Sequence, residues 1–420
     1  MKVFKNSYLF GLIGVVGISS LGYVSLSLAS CAQDSSKFRT IPLTDKYFKF
    51  GETTIGEQSQ TTVLGFSDEV EENPDLLNDF NSLDFSNQTA VKYIAGNCSF
   101  AKDIMENWNL LKMDFSKMTF LNNSDGQSGL NLFVNYDLSS VEELNLEETI
   151  WASEGTIHSA ASTFNGANLS NLKSLNLEKA VFAAPNMLVR QLESVTIKTG
   201  SYTFFSADLS SLIDLNLKDA VFATTEMVIA DSSEQAATID TADSMFYSAN
   251  LNNLTSFDLN GVVFGASMMS TYTSTLSIAC RTFAIAKLNN LTKLSLSGAI
   301  AAVDELMSAT NIRTYDSTFR QAEMSKLTTL DLRGTKFATD EMSPVLAHVG
   351  YQTFKSINFN MDVFNKIYLP EYLATDKNWE ETFNVSSQPT PSVTIYGYTE
   401  CPSWFANNWW PEADWEENDN

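Results

Sequence analysis

Apolar residues recur along the middle of the chain on one fixed template. Starting at Phe164 it reads Phe, Ala at +3, Leu at +5, +8, +11 and +13, a small residue at +16 and Phe at +18, and Phe204 opens the same series again. Units beginning at Phe133, Phe164, Phe204, Phe246 and Phe319 follow it well, while a sixth at Phe283 has Ala301 where the last aromatic belongs. Degenerate units upstream, Leu77 to Phe85 and Leu110 to Phe120, and downstream, Tyr351 to Phe364, bring the count to nine over residues 72–366. Such recurrence marks a repeat architecture, in which each unit has an apolar face that only its neighbour covers.

Inside a unit, Ser174-Leu175-Asn176-Leu177-Glu178 alternates polar with apolar. That period of two predicts a short, half-buried strand with +11 and +13 inward and +12 outward. Phe at +0, Ala at +3 and Leu at +5 and +8 predict a short helical or 3-10 turn leading into it. Strands so far apart in sequence are not hairpins, so they stack in parallel. The expected fold is a repeat solenoid, mainly β with short helical or 3-10 turns, wound as a right-handed parallel β solenoid. Successive starts from Phe133 to Phe319 lie 31, 40, 42, 37 and 36 residues apart. The excess follows +18, where Glu193 to Lys198 reads as a second strand.

The ends differ from the array. Residues 1–30 hold a short positive start, an apolar stretch interrupted by Gly and Ser, and then Leu28-Ala29-Ser30-Cys31. This predicts a lipoprotein signal peptide with Cys31 as the lipidated residue. Two acyl chains on Cys31 give stable anchoring to a membrane, so the expected location is the extracellular face of the plasma membrane. Residues 31–71 are expected to form a lipidated tether and an N-terminal edge, with Phe48, Phe50, Val63, Leu64 and Phe66 in an edge strand; the acidic run Asp68 to Glu72 reads as a solvated face. Residues 367–420 read as a C-terminal cap, with Val393 to Tyr398 as its strand and Trp404, Trp409, Trp410 and Trp415 plugging the last unit.

The run Leu172 to Phe182 resembles the leucine-rich repeat core, and Leu212 to Phe222, Leu254 to Phe264 and Leu327 to Phe337 match it likewise. With the Phe-x-x-Ala lead-in and the lipobox, the chain resembles the BspA-like leucine-rich surface lipoproteins of mollicutes. That resemblance implies a leucine-rich-repeat-like solenoid used in adhesion or antigenic display. The chain departs from the family at +16, where Thr149, Ala180, Ala220, Val262, Ala299 and Thr335 replace the ladder Asn. The buried turn bonds of that Asn must come from elsewhere.

Net charge is −24, and −26 without the first thirty residues, which makes nucleic acid a poor partner and keeps the folded part off an anionic bilayer. The outward +12 positions carry Asp84, Asp114, Asn145, Asn176, Asn216, Asp258, Ser295, Asp331 and Asn358, a polar column that forms a candidate face for a protein or glycan ligand on host or neighbouring cells, or a self-bonding ladder. Cys31, Cys98, Cys280 and Cys401 include no CxxC, so free and mostly buried thiols are expected after modification of Cys31. His158 and His348 stand far apart, and no nucleotide, zinc or calcium motif is present. The expectation is a binding protein without catalysis, cofactor or metal. The alternatives are a solute-binding lipoprotein with two lobes around a cleft, or a surface hydrolase with a clustered acid pair.

Overall fold

Leu175 and Leu177 are fully buried while Ser174 and Asn176 stay partly exposed, so the alternation forms a strand, Ser174–Asn176. The computed structural model describes residues 37–88, 90–187, 195–224, 227, 237–266, 273–301, 311–337, 346–357, 360, 362–370, 393–397 and 414–417. The chain divides between Lys37 and Phe38, and every element below belongs to the unit that starts at Phe38.

Equivalent strands pair in parallel and in register. Among the described residues, eleven three-residue strands form one sheet in chain order, from Ser82–Asp84 through Ser174–Asn176 to Asp414–Glu416. Seven more, from Gln127–Ser128 to Leu346–Val349, form a second parallel sheet, and in each of these the strand ends five residues before the next template Phe. The strand expected around Val195 is one of them, Thr196–Thr199. Single bridges add two further ladders, Asp137 to Glu323 at +4 and Ile150 to Lys336 at +17. The protein is thus mostly β, in many-stranded parallel sheets.

Two aromatic columns run through a core that is otherwise largely Leu and Ala. Phe133, Phe164, Phe204, Phe246, Phe283, Phe319 and Phe354 stack in sequence with centroids 5.1, 5.2, 5.2, 5.1, 5.2 and 5.5 Å apart. Side-chain ladders of this kind stabilise stacked, weakly twisted strands. A second column runs through Phe120, Trp151, Phe182, Phe222 and Phe264.

The helical turns expected around the template Phe are absent. Residues at −2 and +2, such as Tyr202 and Ser206 or Arg281 and Ile285, have φ between 54 and 60°. A right-handed helix needs an unbroken run of negative φ. The Phe164 N–H donates to Thr203 O at 2.8 Å in the next unit, so the amide that would close a helical turn is spent on stacking instead. Threonines at −1 tie these corners together: Thr203 Oγ1 donates to Ala160 O and Gly200 O at 2.9 and 2.8 Å, and Thr163, Thr282, Thr318 and Thr353 act likewise.

The missing ladder Asn is replaced by backbone geometry. In each unit the +16 N–H donates to the +13 carbonyl, as Ala180 does to Leu177 at 3.0 Å and Val262 to Leu259 at 3.1 Å. The third residue of this turn, at +15, has positive φ, as in Lys179, Asp219 and Gly261. That is the φ signature of a type II turn, which needs no buried amide side chain.

At the N-terminal side, Phe48–Ile55 and Gln58–Phe66 pair antiparallel, and the latter runs parallel to Tyr93–Ser99 and it to Thr119–Phe120. The expected edge strand is therefore a hairpin. The acidic run is helical, Asp68–Glu72, capped by Ser67, whose Oγ accepts from Val70 N–H at 3.2 Å; its acids are exposed and Val70 is buried. At the other end, the strand expected over Val393 to Tyr398 spans Thr394–Tyr396 and continues the long sheet beside Lys366–Tyr368, with Asp414–Glu416 beyond it. Cys31, Asn358, Cys401, Trp404, Trp409 and Trp410 lie outside the described residues.

Candidate functional site

The polar column predicted at +12 exists as a line of register partners: Asp84, Asp114, Asn145, Asn176, Asn216, Asp258, Ser295 and Asp331. The position beside Asp331, expected for Asn358, belongs to Tyr368, because the register of the next strand, Lys366–Tyr368, sets it there. Each column side chain turns back on its own backbone. Asn176 Oδ1 accepts from Glu178 N–H at 3.1 Å, Asp258 Oδ1 from Asn260 N–H at 3.0 Å, and the other six repeat the bond to the residue two ahead. Asp, Asn and Ser recur there because they form this turn and satisfy an amide at the strand end.

What remains of the column is also largely occupied. Asn145 Nδ2 donates to Asp114 at 3.2 Å, and Asn216 Nδ2 to Glu178 at 3.0 Å. Asp331 is buried and clasped by Arg333, whose guanidinium lies 4.3 Å from the Tyr368 ring centre. Lys112 bridges Asp84 and Asp114 at 3.0 and 3.1 Å. Burial opposes ionisation of Asp84, but the Ser86 bonds and Lys112 outweigh it and lower its pKa. A lowered carboxylate at Asp84 is the opposite of the raised acid that a glycosidase uses.

A different surface carries free chemistry. A groove of about 410 Å³ opens along the corners that precede and follow the template Phe, lined among others by Tyr202, Phe205, Tyr247, Arg281, Ile285 and Arg320. Phe205 and Tyr247 occupy +1 in adjacent units and stack at 5.1 Å with planes 3° apart. Arg281 is held from below: its guanidinium makes three contacts to buried Asp243, at 2.9, 3.2 and 3.3 Å. Ile285 is exposed in the same wall. A second hollow of about 280 Å³ shares Arg281, Ser317 and Arg320 and adds Arg313, Asp316 and Tyr351.

Three of the six arginines in this acidic chain therefore face one line of corners. Arg313 and Arg320 are exposed, and neither guanidinium has an ion-pair or hydrogen-bond partner among the described residues. The nearby carboxylates are engaged. Asp316 accepts from Ser317 Oγ at 2.8 Å and lies 2.9 Å from His348 Nδ1; the His348 ring stacks on Tyr351 at 4.3 Å. Burial raises the pKa of Asp243, with Arg281 pulling the other way, and burial plus the Asp243 charge raise that of Asp240.

Sequence reading missed this groove because it followed the invariant template positions. The signal lay in the variable ones: Phe205, Tyr247 and Arg320 all stand at +1, and Tyr202 and Arg281 at −2. The two histidines do not meet. His158 pairs in register with Lys198, and burial with the Lys198 charge lowers its pKa; His348 pairs with Arg313. Cys98 and Cys280 are free thiols, and burial pushes Cys98 up to about 12. Among the described residues no group of three or more His, Cys, Asp or Glu is placed to hold a metal ion, and no helix is long and apolar enough to cross a membrane.

No family model, no curated protein and no solved structure matches the chain.

Proposed function

We propose that this chain is a lipid-anchored surface protein of the BspA-like leucine-rich kind, a right-handed parallel β solenoid that recognises macromolecules on host or neighbouring cells without catalysing a reaction. The lipobox ending in Cys31 supports the anchor and the extracellular location. Parallel, in-register strands support the solenoid, because a crossover between parallel strands of one sheet takes the right-handed sense.

The observation that carries the recognition role is the groove containing Arg281, Arg313 and Arg320. The +12 side chains are spent on turns and ladders, whereas Arg313 and Arg320 are exposed and unpartnered among the described residues. Recognition is thus assigned to the corner groove, and the +12 column is assigned to turn formation.

The test has two arms. Cys31→Ala is expected to abolish incorporation of a fatty-acid label and to move the protein out of the membrane fraction. Protease added to intact cells is expected to cleave the wild-type chain, and the purified chain is expected to bind host cells or matrix. Retention of the label by the variant, or protection of the chain inside intact cells, overturns the reading.

A further inference from the structure

We infer that the groove is a site for an acidic saccharide chain, one whose sugar units carry carboxylate or sulfate groups; this deepens the recognition reading above and rests on it. The sign of the ligand follows from charge. In a chain of net charge −24, the two adjoining hollows gather Arg281, Arg313 and Arg320 against three nearby carboxylates, each already bonded within the protein: Asp240 to Ser277, Asp243 to Arg281 and Asp316 to Ser317. Arg281 is pre-organised by its clasp on Asp243, so its remaining donors are presented at little entropic cost.

The aromatic residues point the same way. Phe205 and Tyr247 line the groove as a stacked pair, each covering one face of the other. Such rings give the wall a rigid apolar surface against which the C–H face of a sugar packs. The Tyr247 hydroxyl has no hydrogen-bond partner among the described residues and adds a donor.

A peptide added as a strand is disfavoured because the groove's amides are saturated. Ser244, Ser248, Arg281, Ile285, Ser317 and Gln321 each donate their N–H to a carbonyl of the next unit, at 2.8 to 2.9 Å. The intervening amides of Tyr247, Ala284 and Arg320 close local turns. No strand edge is left for a peptide to extend. Recognition must then pass through guanidinium, hydroxyl and aromatic contacts, which suit the anionic groups and hydroxyls of sugars. The two hollows share residues, so the site takes a chain rather than a single sugar.

The experiment is a binding titration of the purified full chain in detergent against heparin fragments, hyaluronan fragments, neutral dextran and poly-glutamate. Binding is expected to heparin or hyaluronan and not to dextran, with at least tenfold weaker binding for Arg313→Ala/Arg320→Ala. Heparin-only binding assigns sulfate, and binding to both admits carboxylate. Wild-type affinity must also fall as salt rises, which keeps the test valid should the variant fail to fold. Poly-glutamate binding as tight as the saccharides, unchanged affinity in a folded double variant, salt-independent binding, or no binding to either acidic saccharide each overturns the inference. Cell binding that persists in those cases leaves the recognition reading standing, whereas saccharide binding by a chain that is not on the cell surface removes the reading and keeps the site.

Discussion

The ring of Tyr315 packs edge-on against Phe264, with centroids 5.9 Å apart and planes at 77°, in the place where Ala301 leaves the second aromatic column without a ring. On its other side it meets Phe337 at 4.9 Å. Tyr315 stands at −4 of its unit, a position otherwise held by Gly or Ala in the units from Phe133 to Phe354. At Gly200 the reason is visible: φ is +63° and an added Cβ would lie 2.5 Å from the Phe222 ring. Loss of one ring at +18 is thus offset by gain of one at −4.

The first prediction concerns that exchange. The Tyr315 hydroxyl is buried without a hydrogen-bond partner in the described structure. Tyr315→Phe is therefore expected to stabilise the protein by about 1 kcal/mol, and Tyr315→Ala to destabilise it by about 3–5 kcal/mol through the cavity beside Ala301. Denaturant midpoints check both. A destabilised Phe variant contradicts the unpartnered hydroxyl.

A second prediction separates turn formation from binding in the +12 column. Asn176→Ala removes the acceptor for Glu178 N–H and is expected to cost about 1 kcal/mol, whereas Asn176→Asp retains it and costs less. Neither change is expected to alter ligand binding. Reduced binding with unchanged stability would restore the column as a contact face.

Third, the corner threonines are buried and donate to two carbonyls each at Thr203 and Thr353. Thr203→Val keeps the shape and removes the donor, so a loss of about 1–3 kcal/mol is expected, with Thr203→Ser recovering part of it. Equal thermal midpoints for Val and wild type would show that the carbonyls find other donors.

The fourth prediction is a pH dependence. Asp240 and Asp243 both lie above the ordinary 3.8, chiefly through burial. In the window just above 3.8 the folded chain holds protons that the unfolded chain has released. Their contribution to stability is therefore fully present below 3.8 and is lost as pH rises through the raised folded values. Asp240→Asn removes one titrating group and is expected to flatten the decline, read as denaturant midpoints from about pH 3 to about pH 7. Parallel curves for variant and wild type would contradict the raised value.

Much of the architecture was legible along the chain because burial imposes its own period. Leu175 with Leu177, and Leu215 with Leu217, had to face inward once their neighbours were polar, and parallel pairing followed from the long returns between strands. The Phe at a constant offset in each unit was legible, but its stacking into a column came only with the structure. The helical turn was misread. Phe, Ala and Leu at +0, +3 and +5 fit a helical face, yet alternate amides of these corners bond the next unit, and that competition is invisible within one unit.

By itself, then, the sequence determined the repeat, the inward positions of its strands and eight of the nine +12 residues, because each follows from local alternation or turn chemistry. Tertiary structure alone decided what those residues do. Only stacking brings Tyr202, Phe205, Tyr247, Arg281 and Arg320, drawn from four successive units, onto one groove wall, and only stacking shows that Asn176 is spent on its own turn while Arg320 remains free among the described residues. The physical reason is that the groove's neighbours are related across units, where spacing runs from 36 to 42 residues, and no periodicity within a unit records which variable positions will meet.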